Sequence, residues 1–163
     1  VREVPGEEGE EVNLIPGSGI VFAISSSVIF LDQLSKLLSA KFLHLNTPVP
    51  LIKNFLYLTL VHNRGAAFGI LKNQLFLFIA ISFSAIALIL ASLRNSRNPL
   101  ILKIALSLIL GGAAGNLIDR VRFGYVVDFL DLRFWPVFNL ADSALTIGAL
   151  LLSWSLLFKK DAA

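Results

Sequence analysis

Cysteine and methionine are missing from this chain of 163 residues, and glutamate is missing from all of it beyond residue 11. Without cysteine there is no thiol nucleophile, no disulfide scaffold and no cysteine-ligated metal site. Histidine is scarce as well. His44 and His62 read as surface or interfacial residues, and two imidazoles do not make a histidine-rich zinc site. Charged residues are 15% of the chain, against roughly 25% in soluble domains. Hydrophobic residues are 56%, which excludes disorder. What remains is a membrane protein with the length of one domain.

The five glutamates all lie between Glu3 and Glu11. From residue 18 onward there are thirteen Lys/Arg against six Asp, a net of +7. These cations are scattered among apolar runs rather than gathered on a stripe, so they face lipid headgroups and not nucleic acid. The acidic, Gly/Pro-bearing start, residues 1–19, reads as a flexible extension or a processed or engineered end. Its charge has the wrong sign for a secretory leader.

Four apolar stretches have the roughly 20 residues that a bilayer crossing needs: about 20–40, 75–93, 99–118 and 136–158, within one unit over 20–160. Pro99 and Pro136 suit helix first turns, where a missing N–H costs little. Four spans put both termini on one side. Arg94 and Arg97 between the second and third spans, and Lys159 and Lys160 after the last, point to the cytoplasmic side. Lys41, Lys53, Arg64, Lys72, Arg120, Arg122 and Arg133 weaken that argument from the other side. Two segments there, Leu51–Asn63 and Tyr125–Phe134, are aromatic and β-branched with partial alternation, as strands are. An open sheet edge cannot lie in hydrocarbon. The expected fold is therefore an integral membrane, mainly α protein: four transmembrane helices with a small β-rich cap at the outer membrane face.

Carboxylates inside such spans are costly and mark function. Asn139, Asp142 and Thr146 fall on one helical face, a polar stripe in an apolar helix. Asp32 and Lys36, four apart, read as a snorkelling ion pair near a helix end. Asn116, Asp119 and Arg120 cluster where the third span meets the surface, with Asp119 kept ionised by its neighbour Arg120. Gly111 and Gly115 form a GxxxG packing pair. Asp128 could complete a two-carboxylate site with Asp142, in which the ionised group activates water and the protonated one polarises a carbonyl. On spacing alone Asp131 is an equal partner; otherwise it pairs across strands with Arg133 or Lys53.

Five segments occur in order between residues 32 and 143: Asp32-Gln33-x-x-Lys36, Asn63-Arg64-Gly65-Ala66-Ala67-Phe68-Gly69, Gly111-Gly112-Ala113-Ala114-Gly115-Asn116-Leu117-Ile118-Asp119-Arg120, Val126-Val127-Asp128-Phe129, and Phe138-Asn139-Leu140-Ala141-Asp142-Ser143. In this the chain resembles lipoprotein signal peptidase (signal peptidase II), the bacterial intramembrane aspartic protease. The acidic start and the short stretch between Asp128 and Asp142 depart from that pattern without touching a motif.

The resemblance implies Asp128 and Asp142 as the catalytic pair. It gives site-supporting roles to Asn63, Gly65, Asn116, Arg120, Asn139 and Ala141, and structural or substrate-proximal ones to Asp32, Lys36 and Asp119. The implied substrate is a prolipoprotein carrying diacylglycerol on its cysteine, cut just before that cysteine. No metal or organic cofactor is needed. The partners are that substrate and membrane lipids, with no nucleic acid, and a monomer is expected. The implied place is the bacterial cytoplasmic (inner) membrane, with cytoplasmic termini and an outward-facing site. Strands of the cap would clamp extended substrate by edge pairing. Glycines in the Asn63–Gly69 segment suit close approach of backbone. Two other readings stand beside this one: a proton-relay or transport protein using Asp32, Asp119 and Asp142, and a membrane scaffold.

Overall fold

A computed structural model describes residues 18–65, 74–95 and 98–158. Residues 1–17, all of the Ala66–Gly69 part of the second motif, Lys72, Arg97, Lys159 and Lys160 lie outside the described residues. Seven elements follow in order: α1 (Ser18–Phe42), β1 (Val49–Ile52), β2 (Leu56–Asn63), α2 (Leu75–Leu93), α3 (Leu100–Phe123), β3 (Val126–Asp131) and α4 (Leu140–Leu157). All four helices are long and apolar enough to cross a membrane.

The helix α3 is the centre of the bundle. In its most apolar stretch 44% of residues are buried by protein, against 17%, 6% and 17% in α1, α2 and α4. It touches all three, and glycines make the closeness possible. A Cβ on Gly111 would meet Val28 Cβ of α1 at 2.7 Å, and one on Gly112 would meet the Ala141 carbonyl oxygen of α4 at 2.5 Å. The packing role read from GxxxG therefore extends to Gly112, outside that motif's spacing. Gly112→Ala is expected to lower stability by about 1–3 kcal/mol through overpacking. Thermal unfolding in detergent measures this, and an unchanged midpoint would contradict the contact.

Two sequence expectations are corrected at helix starts. Pro99 is the N-cap of α3 rather than a first-turn residue, and Pro136 lies ahead of α4 in irregular chain. The start of α4 is set instead by Asn139, whose side chain accepts from the Asp142 N–H while Asp142 accepts from the Asn139 N–H. That reciprocal pair satisfies two donors the helix cannot. Asn139 is thus the helix terminus, while Asp142 and Thr146, one turn apart in α4, line one cavity.

The segment expected as one strand from Leu51 to Asn63 turns at 53–55 and contributes to two, β1 and β2. Both pair antiparallel in a sheet of order β1-β2-β3. Asn63 lies opposite Val126 and Val61 opposite Asp128. Residues two apart share a sheet face, so the Asn63 and Asp128 side chains emerge together. The chain passes from α3 to β3 within two residues because Gly124 takes φ 76°, closing the helix with its N–H on the Arg120 carbonyl. A left-handed residue here costs glycine nothing. It lays β3 beside the last turn of α3.

Candidate active site

Where β3 meets the start of α4, Asp128 and Asp142 line one cavity of about 460 Å³. Its walls are Asn116 and Arg120 of α3, Asn63 of β2, and apolar side chains including Phe78 and Ile81 of α2 and Leu145 of α4. Asp131, the alternative partner, does not line it. Its carboxylate accepts from Thr59 Oγ1 at 2.8 Å and pairs with Arg133 Nη1 at 3.1 Å on the cap.

Three asparagines address the two aspartates, and each is held in one amide orientation. Gly65 N–H donates to Asn63 Oδ1 at 2.9 Å, leaving Asn63 Nδ2 to donate to Asp128 Oδ2 at 2.9 Å. The Asp142 N–H occupies Asn139 Oδ1 at 2.8 Å, so Asn139 Nδ2 donates to Asp128 Oδ1 at 2.7 Å. Lys36 Nζ donates to Asn116 Oδ1 at 3.0 Å, and Asn116 Nδ2 then donates to Asp142 Oδ1 at 2.8 Å. The second Asp142 oxygen accepts the Asn139 N–H at 3.2 Å. All four carboxylate oxygens are therefore met by donors whose direction is fixed.

Asp128 is 1% exposed. Burial first, and then the negative charge of Asp142, push its carboxyl up to about 7 against the pull of Asn63, Asn139 and Lys36. A buried carboxyl disfavours its charged form, and a like charge adds to that. The pair is thus suited to holding one proton between two groups.

Asp32 and Lys36 are not a snorkelling pair. They are 0% and 3% exposed, and Lys36 Nζ lies 2.8 Å from Asp32 Oδ2 and 2.9 Å from Asp119 Oδ2. Asp119 takes this partner rather than Arg120, because α1 packs on α3 along the face that carries both. Arg120 turns instead over the Phe78 ring, 5.0 Å from its centroid, and faces the cavity. Gln33, given no role from sequence, donates to Asp119 Oδ1 at 2.9 Å and to the Gly115 carbonyl at 3.2 Å. Its signal was its place beside Asp32 in the first motif. A Cβ on Gly115 would sit 2.6 Å from Asp32 Oδ2, so that glycine makes room for a carboxylate. Ala141 contributes its backbone, N–H to Asp32 Oδ1 at 2.9 Å.

The β3 edge beside Asp128 is already occupied by the protein's own groups. Val127 N–H goes to Asp119 Oδ2 at 3.0 Å and its carbonyl to Asn139 Nδ2 at 3.3 Å. The N–H groups of Phe129 and Leu130 go to the Phe138 carbonyl at 3.0 and 2.8 Å. Of the two histidines, exposed His62 stacks on Tyr125 at 4.1 Å, and neither lines the cavity.

The chain is similar to known proteins along most of its length. The family described as "Signal peptidase (SPase) II" matches residues 24–158. A lipoprotein signal peptidase of Halothermothrix orenii is 50% identical over 133 residues, 82% of this chain and 92% of that one. One of Moorella thermoacetica is 52% identical over 132 residues, covering 80% and 87%. A bacterial membrane enzyme solved by the in meso method superposes with a TM-score of 0.84 at 33% identity, over 91% of this chain and 95% of that one. With every motif-bearing element inside these matches, the chain belongs to the signal peptidase II family.

Proposed function

We propose that this chain removes signal peptides from diacylglyceryl-modified prolipoproteins, cutting just before the lipidated cysteine, as an aspartic endopeptidase with Asp128 and Asp142 as its reacting pair. The observation that carries the reading is that the two carboxylates share one cavity, with each oxygen held by an oriented donor. The pair shares one proton, and in this reaction Asp128 carries it while Asp142 is the ionised partner. Asp142 takes a proton from water as the water oxygen adds to the scissile carbonyl carbon. Asp128 gives its proton to the carbonyl oxygen, and a neutral diol forms. The C–N bond then breaks as the diol returns a proton to Asp128 and Asp142 passes its own to the leaving nitrogen. One water is consumed and the pair is restored.

The wall of the cavity supports the lipid part of this reading. Phe78 and Ile81 of α2 and Leu145 of α4 give the substrate's acyl chains apolar surface beside the aspartates. The protein sits in the bacterial inner membrane as a monomer, termini cytoplasmic and the strand cap outward. Arg94, at the end of the bundle away from the cap, fits the excess of cations on cytoplasmic loops. The proton-relay reading loses ground because Asp32 and Asp119 are tied to Lys36 in a closed cluster.

The test is incubation of the purified chain in detergent with a synthetic diacylglyceryl prolipopeptide, the products being weighed by mass spectrometry. A cut at the bond preceding the modified cysteine is expected. A cut elsewhere, or none, would remove the assignment.

A further inference from the structure

Each aspartate of the pair follows a residue whose backbone N–H is held by a buried carboxylate. Val127 N–H, before Asp128, donates to Asp119 Oδ2 at 3.0 Å, and Ala141 N–H, before Asp142, donates to Asp32 Oδ1 at 2.9 Å. Those two carboxylates come from different helices, α3 and α1, and a single ammonium joins them. Lys36 Nζ is 2.8 Å from Asp32 Oδ2 and 2.9 Å from Asp119 Oδ2. Its remaining contact is Asn116 Oδ1 at 3.0 Å. An ammonium has three N–H donors, and here all three are used. Two run through carboxylates to the backbone beside the aspartates, and the third fixes the amide that faces Asp142.

Such a cluster is a costly way to add stability, because buried charges lose their hydration and apolar packing often does as well. What charge offers is directionality. We infer that Lys36 is a positioning residue: it sets the spacing of Asp128 and Asp142 through Asp119 and Asp32, and the orientation of Asn116 toward Asp142. The inference rests on the reading of Asp128 and Asp142 as the reacting pair. Lys36 is not among the residues that line the cavity.

Two variants test this with the full chain. Lys36→Arg keeps the charge but replaces a point donor by a planar fork, which cannot serve three acceptors from one nitrogen. Lys36→Met combined with Asp32→Asn and Asp119→Asn removes every charge of the cluster. It keeps oxygens for Val127 and Ala141 and frees the Asn116 amide to turn. The readouts are kcat, KM, the pH profile of cleavage and thermal stability.

Charged groups that bear on the pair in that profile are Lys36 and Asp32 of α1 and Arg120 of α3, the last with Asp119 beside it. β2 offers uncharged Asn63, and α2 offers Phe78 and Ser82. In a folded variant kcat is expected to fall about 10- to 100-fold, as misplacement of reacting groups does. KM should stay within about threefold, and the limbs of the pH profile should move, because apparent pKa values belong to the interacting pair. Wild-type kcat and limbs in either folded variant would overturn the inference. Loss of the fold in both would overturn it too, leaving the cluster a stabilising one. Folded Asp128→Asn and Asp142→Asn run beside them keep the two failures apart. Turnover in either ends the dyad reading itself. Dead dyad variants beside wild-type Lys36 variants end this inference alone.

Discussion

Replacing either Asp128 or Asp142 with asparagine is expected to lower kcat for prolipoprotein cleavage by about 10²- to 10⁴-fold, the range for losing a general acid or base. An amide can neither take a proton from water nor give one to a carbonyl. The geometry also says what the substitutions cost the fold. In Asp142→Asn one amide nitrogen must face either Asn116 Nδ2 or the Asn139 N–H, both donors. In Asp128→Asn the conflict is with Asn63 or Asn139. Losing one such bond costs about 1–3 kcal/mol, which lowers a melting midpoint without emptying the native state. Activity and thermal stability should therefore separate. Near-normal turnover in either folded variant would end the aspartic assignment.

The second large effect concerns the lipid on the substrate. Phe78, Ile81 and Ala85 of α2 and Leu145 of α4 give the cavity an apolar wall alongside Asp128 and Asp142. Each buried CH₂ of an acyl chain contributes about 0.8 kcal/mol, but the chains are nearly as well placed in the bilayer, so much of that is offset. The gain that remains is positional: chains against this wall fix the depth of the scissile bond at the aspartates. A misplacement of about 1 Å can cost about 10²-fold in rate. The unlipidated precursor is thus expected to show a saturated rate lower by about 10²-fold, beyond any change in KM. Equal saturated rates for the two precursors would show that the lipid does not position the bond.

The helices could be read from the sequence because they rest on local signals. The span 75–93 is nineteen residues without a charge, and the structure gives α2 those limits. Asp128 could be told from Asp131 only through the family's motif. Sheet alternation alone does not say which strand face turns toward α4. The charged cluster was misread because its partners are remote in the chain: Lys36 meets Asn116 eighty positions away. Local spacing offered Arg120 for Asp119 and a helix end for Lys36, and helix packing overrode both. Asn139 and Asp142 fit a helical stripe and a capping box equally well by spacing. Only the position of the first turn reveals the box.

If Asp128 and Asp142 share one proton as proposed, the pH dependence of kcat/KM shows it most directly, since that quantity reports the free enzyme. With Asp128 at about 7, activity should fall as pH rises through neutrality and the second carboxyl ionises, and should fall again in acid as its partner takes a proton. Because the Asn63 hydrogen bond lowers the Asp128 value, Asn63→Ala should move the alkaline limb to higher pH. A bell with its alkaline limb near pH 7, displaced upward in Asn63→Ala, is the predicted result. A profile flat from acid through alkaline pH, or an alkaline limb unmoved by that substitution, would contradict the account.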